Sequence, residues 1–299
     1  MPDSIPKVIR IRSPLVTAAS GRIDIDILYQ MLEAGLRAFF GDGDCQDHLR
    51  SLFADDDVVG IKVNTLGGPG ISTRVELVER FSGLLFDAGI PRKNHLVWDR
   101  SDRELRSAGY TVKASGELPC FGTDHSGTGY AEDLAVKGGI GSLMSRILTE
   151  YSGGIVNMPV LKDHGIAGIT CALKNHFGAI HNPNKYHDNG CDPYIADLNS
   201  LEQIRGKERL IIVDCLKVQF HGGPSFQPAW AANYGGLLIG TDPVAIDSIG
   251  YGIIEELRGK GGKEPLKGSK RQPIYIRTAA KYGLGSDDLE KIDLKELTI

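Results

Sequence analysis

The densest run of chemically capable residues reads Asn157-Met158-Pro159-Val160-Leu161-Lys162-Asp163-His164, followed by Ala172-Leu173-Lys174-Asn175-His176-Phe177-Gly178. Five of the eight histidines lie between His164 and His221, a clustering unusual for a merely solvated face. A lysine held against apolar walls can bind a carboxylate or phosphate, and it becomes a base if burial lowers its pKa. Lys162 and Lys174 are the candidates for that role. His164 is the candidate for proton transfer near neutral pH. Asn175 carries both a donor and an acceptor for orienting a ligand. These four make up the expected catalytic set.

His176, His181, His187 and Cys191 form a second cluster, spaced H-x4-H-x5-H-x3-C. The spacing matches no standard zinc pattern. Two readings stay open: three of the four hold a divalent metal, or the stretch is a polar loop. Asn182-Pro183-Asn184 and Asp188-Asn189-Gly190 are turn signals that favour the loop. The Gly67-Gly68-Pro69-Gly70 segment sits between an apolar run and a helical one, where its amides can cradle an anion. Pro69 removes one donor, and the pattern is neither a P-loop nor the dinucleotide fingerprint. In Phe220-His221-Gly222-Gly223-Pro224, Gly223 allows a backbone to approach a ligand closely or serves a turn.

Five apolar segments lead into a short polar residue: Asn64, Asp99, Asn157, Asp214 and, through Thr241, Asp242. In an open parallel sheet such ends share one edge, and ligands bind there. Asn64, Gly67, Gly68, Gly70, Asn157, Asp214 and Gly223 are therefore the expected cofactor- or ligand-binding residues. For Asp242 the helix-capping role is favoured, with Pro243 at the first helical position.

The elements that must position these groups alternate between short apolar strands and helical stretches. That alternation predicts an α/β fold, a mainly parallel sheet flanked by helices on both faces. Expected strands cover residues 7–11, 58–64, 95–99, 154–157, 210–214 and 237–240. Expected helices cover 23–40 and 168–178, with others opening at Thr73, Ser101 and Asp242. Thr73 with Glu76 and Ser101 with Glu104 read as capping boxes. The whole of 1–299 is expected to be a single domain, its motif core at about 55–255, with loop insertions at 114–136 and 259–273.

Composition bounds the function. The chain has 299 residues, 41% hydrophobic and 24% charged, with a net charge of −4. Extensive disorder is excluded, and nothing favours nucleic acid as a main partner. None of the five cysteines forms a Cys-x-x-Cys pair, so neither a disulfide framework nor a self-contained iron–sulfur cluster is expected. Residues 1–20 hold no apolar core of signal-peptide length, and no run is long enough to span a bilayer. A cytoplasmic protein with no membrane partner is expected, with a removed export leader left open.

The segments V-N-M-P-V-L-K-D-H, A-L-K-N-H-F-G, I-V-D-C and T-D-P-V-A-I-D resemble, in order and spacing, the domain of unknown function 362 family over about residues 55–255. The resemblance implies a prokaryotic α/β domain often described as iron–sulfur associated. In many relatives that label comes from an attached ferredoxin module, whose cysteine runs are missing here. By motif position it points to Asn157, Lys162, His164, Lys174, Asn175, Gly178, Asp214, Gly223, Pro224, Asp242 and Asp247, without assigning roles.

The leading expectation is a small-molecule enzyme acting on an anionic substrate, metal-assisted or redox-linked, with a ferredoxin-type electron donor as a partner. Three alternatives stand beside it. One is a non-catalytic protein binding an anion, metal or cofactor. Another is an accessory subunit docking a ferredoxin-type partner. The last is a hydroxy acid isomerase in the manner of the nickel-pincer lactate racemase family, by analogy alone.

Overall fold

The computed structural model describes residues 5–18 and 21–299. The expectation about a leader over residues 1–20 falls partly outside them. In chain order the first elements are β1 (Lys7–Arg12), α1 (Ile25–Phe40), α2 (Cys45–Ser51), β2 (Val59–Val63), α3 (Val75–Asp87), β3 (His95–Asp99) and α4 (Asp102–Ser107). Next come β4 (Cys120–Gly122), β5 (Tyr130–Lys137), β6 (Ile140–Ser145), β7 (Gly154–Met158), β8 (Val160–His164), β9 (Gly168–Thr170) and α5 (Ala172–Asn175). The chain closes with α6 (Tyr194–Asn199), α7 (Glu202–Arg205), β10 (Glu208–Gln219), β11 (Ala231–Gly240), α8 (Pro243–Lys260), α9 (Tyr275–Lys281) and β12 (Asp293–Thr298).

The main sheet has the order β12-β1-β11-β10-β7-β2-β3-β4. From β10 to β4 every neighbour is parallel. On the other flank β11 runs against both β10 and β1. The central strands β2, β3 and β7 are buried at every residue, as expected of strands covered on both sides. Alternate residues feed two cores. Ile61, Val156, Ile212 and Ile239 pack with Leu32 of α1 and Phe81 of α3. Ile155, Ile211, Val213 and Leu238 pack with Leu173 of α5, Ile253 of α8 and Tyr275 of α9. The architecture is α/β, with a mainly parallel sheet and helices on both faces. No helix among the described residues is long and apolar enough to cross a membrane.

Several expected elements differ. Asp214 does not end a strand: β10 runs on to Gln219, beside β8, which continues from β7 past Pro159. Asp242 lies at the opposite edge from Asn64, Asp99 and Asn157, because β11 is antiparallel, and there it caps α8 as expected, accepting from the Val244 and Ala245 amides. Residues 168–178 are not one helix. They are β9, which folds back on β8, then the single turn α5 and a 3-10 turn. Neither capping box forms. The cap of α3 is Arg74, while Thr73 Oγ1 donates to the Met158 carbonyl at 2.6 Å. Ser101 caps α4 by position only, and the Asp102 amide donates to Asp124. Residues 114–136, expected as irregular, supply β4 to the sheet and most of the β5–β6 hairpin's first strand. Residues 261–273 carry no regular element, yet Leu266 is buried and Arg271 bonds to Asp163 of β8.

Candidate functional site

At the carboxyl edge of the parallel strands a polar scaffold lies under the site. Lys62 of β2 and Asn157 of β7 are register partners, so both side chains leave the same sheet face. Lys62 is fully buried and donates to Asp99 Oδ1 at 2.8 Å and to the Val63 carbonyl at 2.7 Å. Asp99 is saturated. Its Oδ2 accepts from the Thr65 amide and hydroxyl, and its Oδ1 also accepts from the Arg100 amide.

Beside this pair three side-chain amides orient one another. Asn157 Nδ2 donates to the Ala172 carbonyl (3.1 Å) and to Glu208 (2.8 Å), so its Oδ1 is left to accept from Asn175 Nδ2 at 2.8 Å. Asn175 Oδ1 then accepts from Asn64 Nδ2 at 3.1 Å. Asn64 Oδ1 is thereby turned away, buried and without a hydrogen-bond partner among the described residues. The helix turn carrying Lys174 and Asn175 is anchored at its start by Asp247, whose Oδ1 accepts from the Ala172 amide at 2.7 Å. Burial raises the Asp247 carboxyl to about 7.

Above the scaffold lies a cleft of about 200 Å³ into which Lys162, His164, Lys174, Asn64, Arg100 and Glu104 face. Leu66, Phe177, Pro183 and Pro224 give it apolar walls. Lys162 is fully buried, and among the described residues its Nζ reaches only the Ile71 carbonyl, at 3.4 Å. Burial lowers its pKa from 10.5 to about 8, helped by the charge on Lys62 and opposed by Asp99 and Glu104. Lys174 Nζ lies 3.8 Å from the centre of the Phe177 ring and 3.4 Å from His187 Nε2, and it is hydrogen-bonded to the Cys191 thiol. Burial lowers its pKa to about 8 as well. Among the described residues neither lysine has a carboxylate within ion-pair distance, whereas Lys62 does.

His164 is not the proton-transfer group expected from its type. Its Nδ1 accepts from the Ile166 and Ala167 amides (3.2 and 3.1 Å), which fixes the ring's proton on Nε2. Burial, together with the charges of Lys174, His187 and Lys162, drops its pKa to about 2. It enters the cleft as a neutral N–H donor.

The other expected residues are distributed as follows. Asn157 sits beneath the cleft as a support, its amide wholly used. Asp214 is on the other face of the sheet, where its Oδ2 accepts from the Arg74 amide at 3.0 Å, and burial raises its pKa. With Gly70 and Lys217 it lines a separate polar depression. The 67–70 loop divides the two cavities. Gly67 belongs to the cleft side, since a Cβ there would stand 3.0 Å from Lys162 Nζ. Gly68 takes a positive φ of 67° for the turn, and Gly70 packs on Phe226. Gly223 approaches the protein's own backbone, its amide donating to Asp163 at 2.9 Å, and a Cβ there would meet the Asp163 carbonyl at 1.8 Å.

The four-residue metal set is not assembled. His176 bonds to Glu208 at 2.8 Å, His181 packs edge-on against Tyr130, and His187 and Cys191 both turn to Lys174. No group of three His, Cys, Asp or Glu side chains that could hold a metal ion occurs among the described residues. The sequence reading missed Glu104, Arg100 and the Lys62–Asp99 pair as parts of the site. Their signals were a misassigned cap at Glu104, a lone lysine inside an apolar strand, and for Asp99 its place at a strand end.

A family model described as "Domain of unknown function (DUF362)" matches residues 59–252. No curated protein matches the chain. Among solved structures, the lactate racemase apoprotein from Thermoanaerobacterium thermosaccharolyticum is similar at 12% identity and a TM-score of 0.47, over 83% of this chain and 57% of that one. A structural-genomics protein from Thermotoga maritima is similar at 11% identity and a TM-score of 0.43, over 87% and 59%. The chain spans less than two thirds of the length of either.

Proposed function

This chain belongs to the domain of unknown function 362 family, and from that premise we propose that it is an enzyme acting on a small anionic molecule held between Lys162 and Lys174. One observation carries the reading. Two lysines buried in one cleft have no carboxylate within ion-pair distance among the described residues, while their buried neighbour Lys62 is paired. A buried charge without a partner is costly, and a bound anion supplies the missing partner. His164 Nε2–H adds a neutral donor, and the apolar walls exclude water around the charges.

An enzyme is favoured over a passive binder by the basicity of the amines. At about 8 in the unliganded protein, each lysine can give up its proton close to neutral pH, which suits a proton-transferring group. In this reading Lys174, stacked on Phe177 and bonded to Cys191, moves the proton, while Lys162 holds the anion.

Calorimetric titration with acetate, succinate and inorganic phosphate tests the proposal. The expected result is saturable binding of at least one anion, weakened at least about a hundredfold in the Lys162→Ala/Lys174→Ala variant, the loss of two charge-assisted bonds. Equal binding by that variant, or no saturable binding by the native protein, overturns it. Once a turned-over substrate is found, Lys174→Ala should lose kcat more than affinity.

A further inference from the structure

The cleft's unmet groups say more about the ligand than that it is an anion. Among the charged side chains at the cleft, Lys62 is cancelled by Asp99, with which it forms an ion pair. Arg100 and Glu104 contribute one charge of each sign to the lining. Lys162 and Lys174 remain as a formal excess of two positive charges, and among the described residues neither has a carboxylate within ion-pair distance. A monoanion would leave one of them buried and uncompensated, and a dianion matches both.

The second unmet group is an acceptor. Asn64 Oδ1 is buried without a partner, and its direction is not free to change. The relay from Glu208 through Asn157 and Asn175 holds the Asn64 nitrogen toward Asn175, so the oxygen must face away from it. An unmatched buried carbonyl is costly, and a ligand's O–H or N–H recovers that cost. An ammonium is disfavoured, because Lys162 and Lys174 already concentrate positive charge there. A neutral hydroxyl fits. At about 200 Å³ the cleft limits the molecule to a small one.

We infer that the ligand is a small dianion bearing a hydroxyl group, with its charges on Lys162 and Lys174 and its hydroxyl donating to Asn64 Oδ1. The inference rests on the anion reading above. Its shared chemistry covers hydroxydicarboxylates and phosphate monoesters of small alcohols, and the experiment separates these sources.

The test is calorimetric titration of the full chain with matched pairs, malate against succinate and glycerol 3-phosphate against propyl phosphate, with lactate as the hydroxylated monoanion. The expected result is that in one pair the hydroxylated dianion binds at least about tenfold tighter than its partner, and tighter than lactate. The pair that shows the preference identifies carboxylate or phosphate. Asn64→Ala should bring that ratio close to one. Should this variant not fold, the ratio in the native protein decides alone. Equal affinities within both pairs, or lactate binding as well as the dianions, overturn this inference and leave the anion site standing. No binding by any of the five overturns both.

Discussion

Two buried lysine environments lie side by side in this protein and differ in one respect. The Lys62 ammonium is matched: Asp99, the Val63 carbonyl and Asn175 Oδ1 surround it. Around Lys162 and Lys174 the matching stops, with one carbonyl at 3.4 Å for the first and a ring, a thiol and a histidine for the second. The first region is built to hold the strand ends together. The second keeps charge available at the cost of stability. Buried charge is structural where it is paired and points to a ligand where it is not.

Breaking the paired side should have the largest effect. Lys62→Met leaves Asp99 buried and unpaired, and a loss of about 3–5 kcal/mol in unfolding free energy is expected from denaturant titration. The opposite sign is expected on the unpaired side. Lys162 has a folded pKa of about 8, below its ordinary 10.5, so folding opposes its protonation. That penalty is complete below pH 8 and disappears as pH rises toward 10.5. Lys162→Met should therefore stabilise the protein at pH 7 by up to about 3 kcal/mol, with the advantage shrinking above pH 8, while anion binding is lost. If both methionine variants destabilise equally, the contrast between the two lysines fails.

Titration sharpens the comparison. Anion binding needs protonated amines, so affinity should be level below pH 8 and fall as pH rises beyond it. His164 stays neutral throughout, so with succinate as the ligand no inflection near 6.5 should appear, and His164→Phe should weaken binding only about tenfold, the loss of one donor. The smallest effect is expected at Asp214, on the other face of the sheet. Asp214→Asn should change anion affinity less than about twofold, within the range of substitutions away from a site.

The parts of this contrast that were legible in the sequence are those that local chemistry encodes. The ends of β2 and β3 at Asn64 and Asp99 followed from apolar runs meeting short polar residues, and Asn157 joins their edge although its chain runs on through Met158 into β8. Asp214 and Asp242 obeyed the same local rule and lie elsewhere, because strand length and direction depend on pairing partners far along the chain. The spacing of Ile166, Ile169, Leu173 and Phe177 imitates a helix, yet Gly168 turns the chain so that 168–170 pairs with β8 instead. Lys162 and Lys174 were recognisable as unusual, whereas the pairing of Lys62 with Asp99 was not, since residues 37 apart meet only when β2 and β3 align. The histidines and Cys191 were close in sequence, but two short turns send His176 below the cleft and His187 into it.

The most direct measurement is a carbon-13 NMR titration of the lysine side chains, assigned with Lys162→Met and Lys174→Met, with and without succinate. Two lysines titrating near pH 8, both moving upward when succinate is bound, are the predicted result. Ordinary values near 10.5 for both, unmoved by succinate, would contradict an anion site built on uncompensated buried lysines.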